Sequence, residues 1–175
     1  MNLYIGIDVG KLKLDFCGLN SDQQIVFQDE TTNDINGAAT IKKAILKATG
    51  ESRFEHLMAG MEATSIYDFH PSMFLLNDPQ LHQLGLSVVT INPQRSAQFS
   101  RFFNDGKTDK IDAFHLADLL RVEHKETPLM RQEKYVALQR LTRERYHLID
   151  QITESKNHFL NNLYYRCNTL DSTVP

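Results

Sequence analysis

The chain has 175 residues, 41% of them hydrophobic, and a formal net charge of −3, enough for one good core and an appendage. Two cysteines 150 positions apart, Cys17 and Cys167, offer neither a disulfide framework nor a zinc ligand set. No apolar run approaches the roughly 20 residues of a membrane span and no signal peptide opens the chain, so a soluble, cytoplasmic protein without membrane contact is expected.

In chain order, Leu3–Val9 (LYIGIDV) is apolar and β-branched, as a buried central strand should be. Lys13–Asn20 (KLDFCGLN) and Gln24–Glu30 (QIVFQDE) follow after turn-rich breaks and complete an antiparallel meander. Asn33 or Asp34 caps a helix over Ile35–Thr49 that ends at Gly50. His56–Ala63 is the fourth strand, followed by a helical stretch around Ile66–Asn77 that carries Pro71. Leu86–Asn92 is the fifth strand, and Pro93 suits the first turn of the helix PQRSAQFSRFF. Another helix opens near Asp109 in GKTDKIDAFHLADLL.

Three consecutive strands followed by alternating helices and strands give an α/β mixed five-stranded sheet with flanking helices. That order is the ribonuclease H-like arrangement, in which strands one and four lie side by side and parallel. From Arg131 the character changes: about 35 residues run to Cys167 without Pro or Gly. Leu138, Leu141, Leu148, Ile152, Phe159 and Leu163 trace an imperfect heptad seam, interrupted by Arg145, Ser155 and Asn162. Residues 1–128 hold 12 Lys+Arg against 17 Asp+Glu, whereas 129–167 hold 7 against 4. The reading is a globular domain over 1–128, ending near Thr127-Pro128, and a long helical, coiled-coil segment over 129–175.

Asp8 closes the first strand after an apolar run, and Gly6 and Gly10 flank it, leaving room for a group to approach the backbone. Glu62 closes the fourth strand in the same manner. If those strands are neighbours, the two carboxylates emerge side by side at one sheet edge. Asp109 and Asp112 sit one helical turn apart and share a face, where they also suit the positive end of the helix dipole. Four converging carboxylates repel one another unless cations sit between them. Hard divalent ions with oxygen ligands answer that need, and Mg²⁺ (or Mn²⁺) suits a site where phosphate completes the shell. Two such ions about 4 Å apart stabilise the attacking and leaving oxygens of phosphoryl transfer, so cleavage or strand transfer on a nucleic acid is expected.

The segments YIGIDVGK, GMEATSIYDFHPSMFLL and LSVVTINPQRSAQFSRFFNDGKTDKIDAFHLADLL together resemble the RuvC-like domain of the DEDD transposases. These belong to the insertion-sequence family that includes the pilin-gene invertase and the bridge-RNA-guided recombinases. The resemblance covers roughly Leu3 to Leu120, and INP followed by KTDKIDAFHLADLL is more specific than any single acid. It assigns the family's four acids to Asp8, Glu62, Asp109 and Asp112. It also implies Mg²⁺, strand exchange on DNA, a guide RNA in many members, and a C-terminal transposase domain that supplies a nucleophilic serine. That domain is not within residues 1–175, which on this view are an N-terminal fragment or a truncated element, inactive alone. Ser65 stands where many relatives have Gly after the Thr.

Lys107 and Lys110 interleave with the acid pair and are candidates for phosphate contact. Arg140, Arg143 and Arg145 form a basic cluster on the long helix, where the resemblance implies RNA contact, and its seam suggests a homodimer. His115 is read as a surface or supporting histidine, Tyr67 and His70 as packing, and Ser96, Ser100 and Ser155 as helix-surface residues. A sugar-kinase or actin-like ATPase would need glycine-rich phosphate loops, but all eight glycines are isolated. A proofreading-type exonuclease would need a second acid two residues after Asp8, where Gly10 stands. A Holliday-junction-resolvase-like endonuclease and a non-catalytic, dimerising RNA-binding module remain as alternatives.

Overall fold

The computed structural model describes residues 1–62, 66–103, 109–123 and 133–168. The expected domain boundary at Thr127-Pro128, the Ser65 departure and Lys107 lie outside the described residues. Contacts divide the chain into two compact units, Met1–Met130 and Arg131–Pro175.

The first unit is built on five strands: β1 (Asn2–Val9), β2 (Lys13–Asn20), β3 (Ile25–Thr32), β4 (His56–Glu62) and β5 (Leu86–Ile91). Their order in the sheet is β3-β2-β1-β4-β5. β2 pairs antiparallel with both β1 and β3, while β4 runs parallel to β1 and to β5. This is the ribonuclease H-like topology read from the element order. Helices α1 (Ile35–Glu51), α2 (Phe69–Asn77), α3 (Pro79–Gln83), α4 (Pro93–Ser100) and α5 (Asp109–Glu123) connect and cover it. The Asp34 carboxylate caps α1 by accepting from the Gly37 amide at 2.8 Å, and Asn92 caps α4, with Pro93 in its first turn. Several bounds differ from expectation: α1 continues through Gly50 to Glu51 with Ser52 as its C-cap, and β3 spans Ile25–Thr32 rather than Gln24–Glu30. The helix after β4 starts at Phe69 rather than Ile66, a separate short α3 follows on an Asp78 cap, and α4 ends at Ser100 rather than Phe103.

Side-chain alternation decides what each sheet face carries. Leu3, Ile5 and Ile7 of β1 pack with Leu57, Ala59 and Met61 of β4 and with Ile41 and Ile45 of α1. The opposite face receives α5, whose Leu116, Leu119 and Leu120 pack with Tyr4, Val89 and Ile91. Gly6 makes this seat possible. A Cβ there would lie 2.2 Å from the Ala113 carbonyl oxygen and 2.3 Å from the Ala117 nitrogen. The space beside Asp8 is therefore taken by the backbone of α5 and is not open to a ligand at Gly6, contrary to the reading of that glycine as an approach route.

The second unit contains α6 (Glu133–Tyr164), 32 residues and about 48 Å long at 1.5 Å per residue. Leu138, Leu141, Leu148, Ile152 and Phe159 are all at least half exposed along it. No helix among the described residues is long and apolar enough to cross a membrane.

Candidate functional site

Asp8 and Glu62 meet because β1 and β4 are parallel neighbours in register. Ile7 lies opposite Met61, so the next rung carries the two acids at the carboxyl ends of their strands. The close seat of α5 on Gly6 then brings the first turn of that helix, with Asp109 and Asp112, to the same edge. Carboxylate oxygens of Asp8, Asp109 and Asp112 lie within 4.8 Å of one another. Glu62 is not in that close group, but it lines the same cleft, of about 660 Å³. Its Oε1 accepts a hydrogen bond from the Ser96 hydroxyl.

The electrostatics follow from this crowding. Burial, then the charges of Asp112, Asp109, Glu62 and Asp15, raise the Asp8 carboxyl from 3.8 to about 6. Desolvation and like charge thus act together on one group, the arrangement expected of a cation site in its metal-free form.

Two groups that the sequence reading did not single out complete the edge. Asp15 lies opposite Asp8 across the β1–β2 pair, is 2% exposed, and leaves Oδ1 without a hydrogen-bond partner among the described residues. Lys13, two residues before it on the same strand face, places Nζ 3.1 Å from Asp15, 3.2 Å from Glu30 and 3.5 Å from Asp109. Hydrogen bonds to Asp15 and Glu30 hold its ammonium protonated well above the ordinary lysine range. The signal was in the hairpin: pairing across the short turn after Val9 puts Asp15 beside Asp8 and Lys13 near the edge.

Other candidates fare differently. Ser96 is 4% exposed and bonded to Glu62, so it is not the helix-surface residue expected; the α4 face that carries it packs against the cleft. Ser100 is half-buried and also lines the cleft, while Ser155 is exposed on α6. His115 is 6% exposed and lines the cleft, which rules out a surface position. Lys110 is exposed, and its carbonyl accepts from the Gln28 side-chain amide at 2.9 Å. Arg140, Arg143 and Arg145 are exposed on α6, and the Arg145 guanidinium lies 5.9 Å from the Tyr146 ring centre.

A family profile described as a transposase of the DEDD, IS110 type matches residues 5–165. The chain belongs to this transposase family. Comparison with curated proteins gives no match. Among solved structures, Thermus thermophilus RuvC is similar at 12% identity and a TM-score of 0.48, over 69% of this chain and 96% of that one. The T. thermophilus RuvC in complex with a Holliday junction substrate is similar at 12% identity and a TM-score of 0.46, over 68% and 92%. An ethanolamine utilization protein, EutJ of Carboxydothermus hydrogenoformans, follows at 16% identity and 0.38, over 59% and 42%. As a member of its family, with an acidic cluster at the sheet edge, the transposase is of the nucleic-acid-cleaving and recombining class.

Proposed function

We propose that the acidic cleft binds Mg²⁺, with Mn²⁺ able to replace it, and forms one half of a composite site for DNA strand exchange. The observation that carries this reading is the approach of three carboxylates, Asp8, Asp109 and Asp112, within 4.8 Å at the open edge of the sheet. The donor set fits a hard divalent ion: every candidate ligand is a carboxylate oxygen, and burial together with the neighbouring acids raises the Asp8 carboxyl. Such an ion supplies charge neutralisation and orientation at a scissile phosphate.

The rest is done by the chain's own groups. Asp8, Asp109 and Asp112 would hold the ion from two elements locked together at Gly6. Ser96 keeps the Glu62 carboxylate turned into the cleft, from where it completes the ligand set or accepts a proton from an attacking group. Lys13 shares its charge among Asp15, Glu30 and Asp109, which keeps Asp109 close to Asp8 before the ion arrives. The covalent step is assigned, following the family resemblance, to a serine outside residues 1–175. The exposed apolar stripe of α6 supports pairing with a second copy, and Arg140, Arg143 and Arg145 support contact with a guide RNA.

The division of labour has a direct test. The 175-residue chain is incubated with Mg²⁺ and DNA, with and without guide RNA, then denatured and probed for protein-linked DNA. No covalent adduct and no recombination are expected. An adduct would overturn the assignment of the nucleophile to another domain. Free nicking without an adduct would favour the resolvase-like alternative, with water as the attacking group.

A further inference from the structure

His115 is the group in the cleft wall that packing leaves unexplained. Its two ring nitrogens are buried and neither has a hydrogen-bond partner among the described residues. The imidazole stacks on Phe103 at 4.5 Å and 24°, with Phe114 edge-on at 6.0 Å. An aromatic contact of this kind is favourable, and a phenyl ring would make it as well as an imidazole does. A buried polar atom without a partner is destabilising, because it has given up its bonds to water. Phenylalanine would fill the same space and keep the stack, so packing among the described residues does not by itself account for the imidazole.

Its place defines the partner. His115 lies one turn beyond Asp112 on α5 and lines the same cleft. A hard divalent ion with three carboxylates close at hand has little use for an imidazole nitrogen. On the α4 side, the cleft is also lined by Ser100 and Arg101, two hydrogen-bond donors, and Arg101 makes no ion pair among the described residues. Carboxylates on one side and donors on the other suit a ligand that binds a cation and also presents spare oxygen acceptors.

We propose that His115, with Arg101 beside it, donates a hydrogen bond to a non-bridging oxygen of a DNA backbone phosphate held in the cleft. This deepens the metal-site reading and rests on it. Neither ring nitrogen reaches solvent in the present state, so the imidazole turns about its side-chain bonds from under Phe103 as the phosphate enters. His115 is thereby a catalytic residue in the sense of touching substrate, whereas Phe103 only stores the ring between encounters.

The experiment follows the histidine ring nitrogens of the 175-residue chain by NMR, first with Mg²⁺ alone and then with a short single-stranded oligonucleotide added. Mg²⁺ alone is expected to move the backbone amides around Asp8, Asp109 and Asp112 and to leave the His115 ring signals in place. Addition of the oligonucleotide is expected to shift the His115 ring signals. His115→Phe should weaken oligonucleotide binding about tenfold with Mg²⁺ affinity unchanged, and His115→Gln, which keeps a donor, should recover part of the loss. Amide shifts with Mg²⁺ but silent His115 signals and unchanged oligonucleotide affinity in His115→Phe would overturn the proposal and leave the metal site standing. A His115 ring shift with Mg²⁺ alone would overturn it in favour of direct ligation. Absence of any Mg²⁺ response at the acids would remove the reading on which it rests.

Discussion

The two units use the same apolar residue types to opposite ends. In the first, Ile41, Ile45, Leu57 and Leu75 are almost completely buried, and the strands they support end in acids that converge on one edge. On α6, Leu138, Leu141 and Phe159 point outward with 60%, 69% and 65% of their surface exposed. A core that closes on itself can afford to crowd charge at its rim, because packing holds the carboxylates together against their repulsion. A lone helix with an apolar stripe has no such closure and is stable by virtue of what it meets.

Breaking the seat of α5 should have the largest effect. Gly6→Val drives a side chain into the Ala113 carbonyl and the Ala117 nitrogen, and a loss of about 3 kcal/mol or more is expected in urea unfolding. Ile41→Ala should cost about 2–5 kcal/mol by leaving a cavity in the core beneath the sheet. The same truncation at Leu141 should stay within about 0.5 kcal/mol for the monomer, yet shift the monomer–dimer balance seen by light scattering toward monomer. A monomer at high micromolar concentration in the wild type would end the case for the stripe as a dimer seam.

The crowded rim should also be visible in pH dependence. Asp8 is raised from 3.8 to about 6, so the folded chain holds that proton more tightly than the unfolded one does. Stability from this group is greatest below pH 4 and is lost as pH rises through 6. Discounted for partial solvent screening, the loss is about 1–2 kcal/mol. It should appear as a fall in the wild-type melting temperature between pH 4 and 7, measured without divalent ions and relative to Asp8→Asn, which removes the slope. The smallest effect is expected where a glycine serves no contact. Gly50 lies in α1 with nothing near its Cβ position, and Gly50→Ala should stabilise by roughly 0.5–1 kcal/mol.

Much of the architecture was legible because its signals are local and periodic. Apolar runs bounded by turn residues marked the strands, β-branched in β1 and β5 though not in β2 or β4, and the ribonuclease H-like element order placed β4 beside β1, from which the Asp8–Glu62 rung followed. What escaped depends on tertiary facing. Ser96 lies on an eight-residue helix, too short for periodicity to say which face is covered. His115 belongs to a helix buried from Leu116 through Leu120 as well as at Ala113, so no single apolar stripe marks its inner side. Even Asp118 is buried there, with Oδ1 accepting from Arg121 at 2.7 Å and Oδ2 from Gln23 at 2.9 Å. A charged residue is thus covered on α5 where the fold supplies its partners, which the sequence pattern does not reveal. Glu62 was grouped with the other three acids because strand register puts it beside Asp8; it lines their cleft, bonded to Ser96, outside the close trio.

The central claim is that the rim acids form a divalent-cation site, and calorimetric titration of the 175-residue chain with Mn²⁺ at pH 7.5 tests it most directly. The account predicts saturable binding that is abolished in Asp8→Asn and in Asp112→Asn, that weakens as pH falls through 6, and that raises the wild-type melting temperature. Binding that is absent in the wild type, or unchanged when Asp8 and Asp112 are both replaced by Asn, would contradict it.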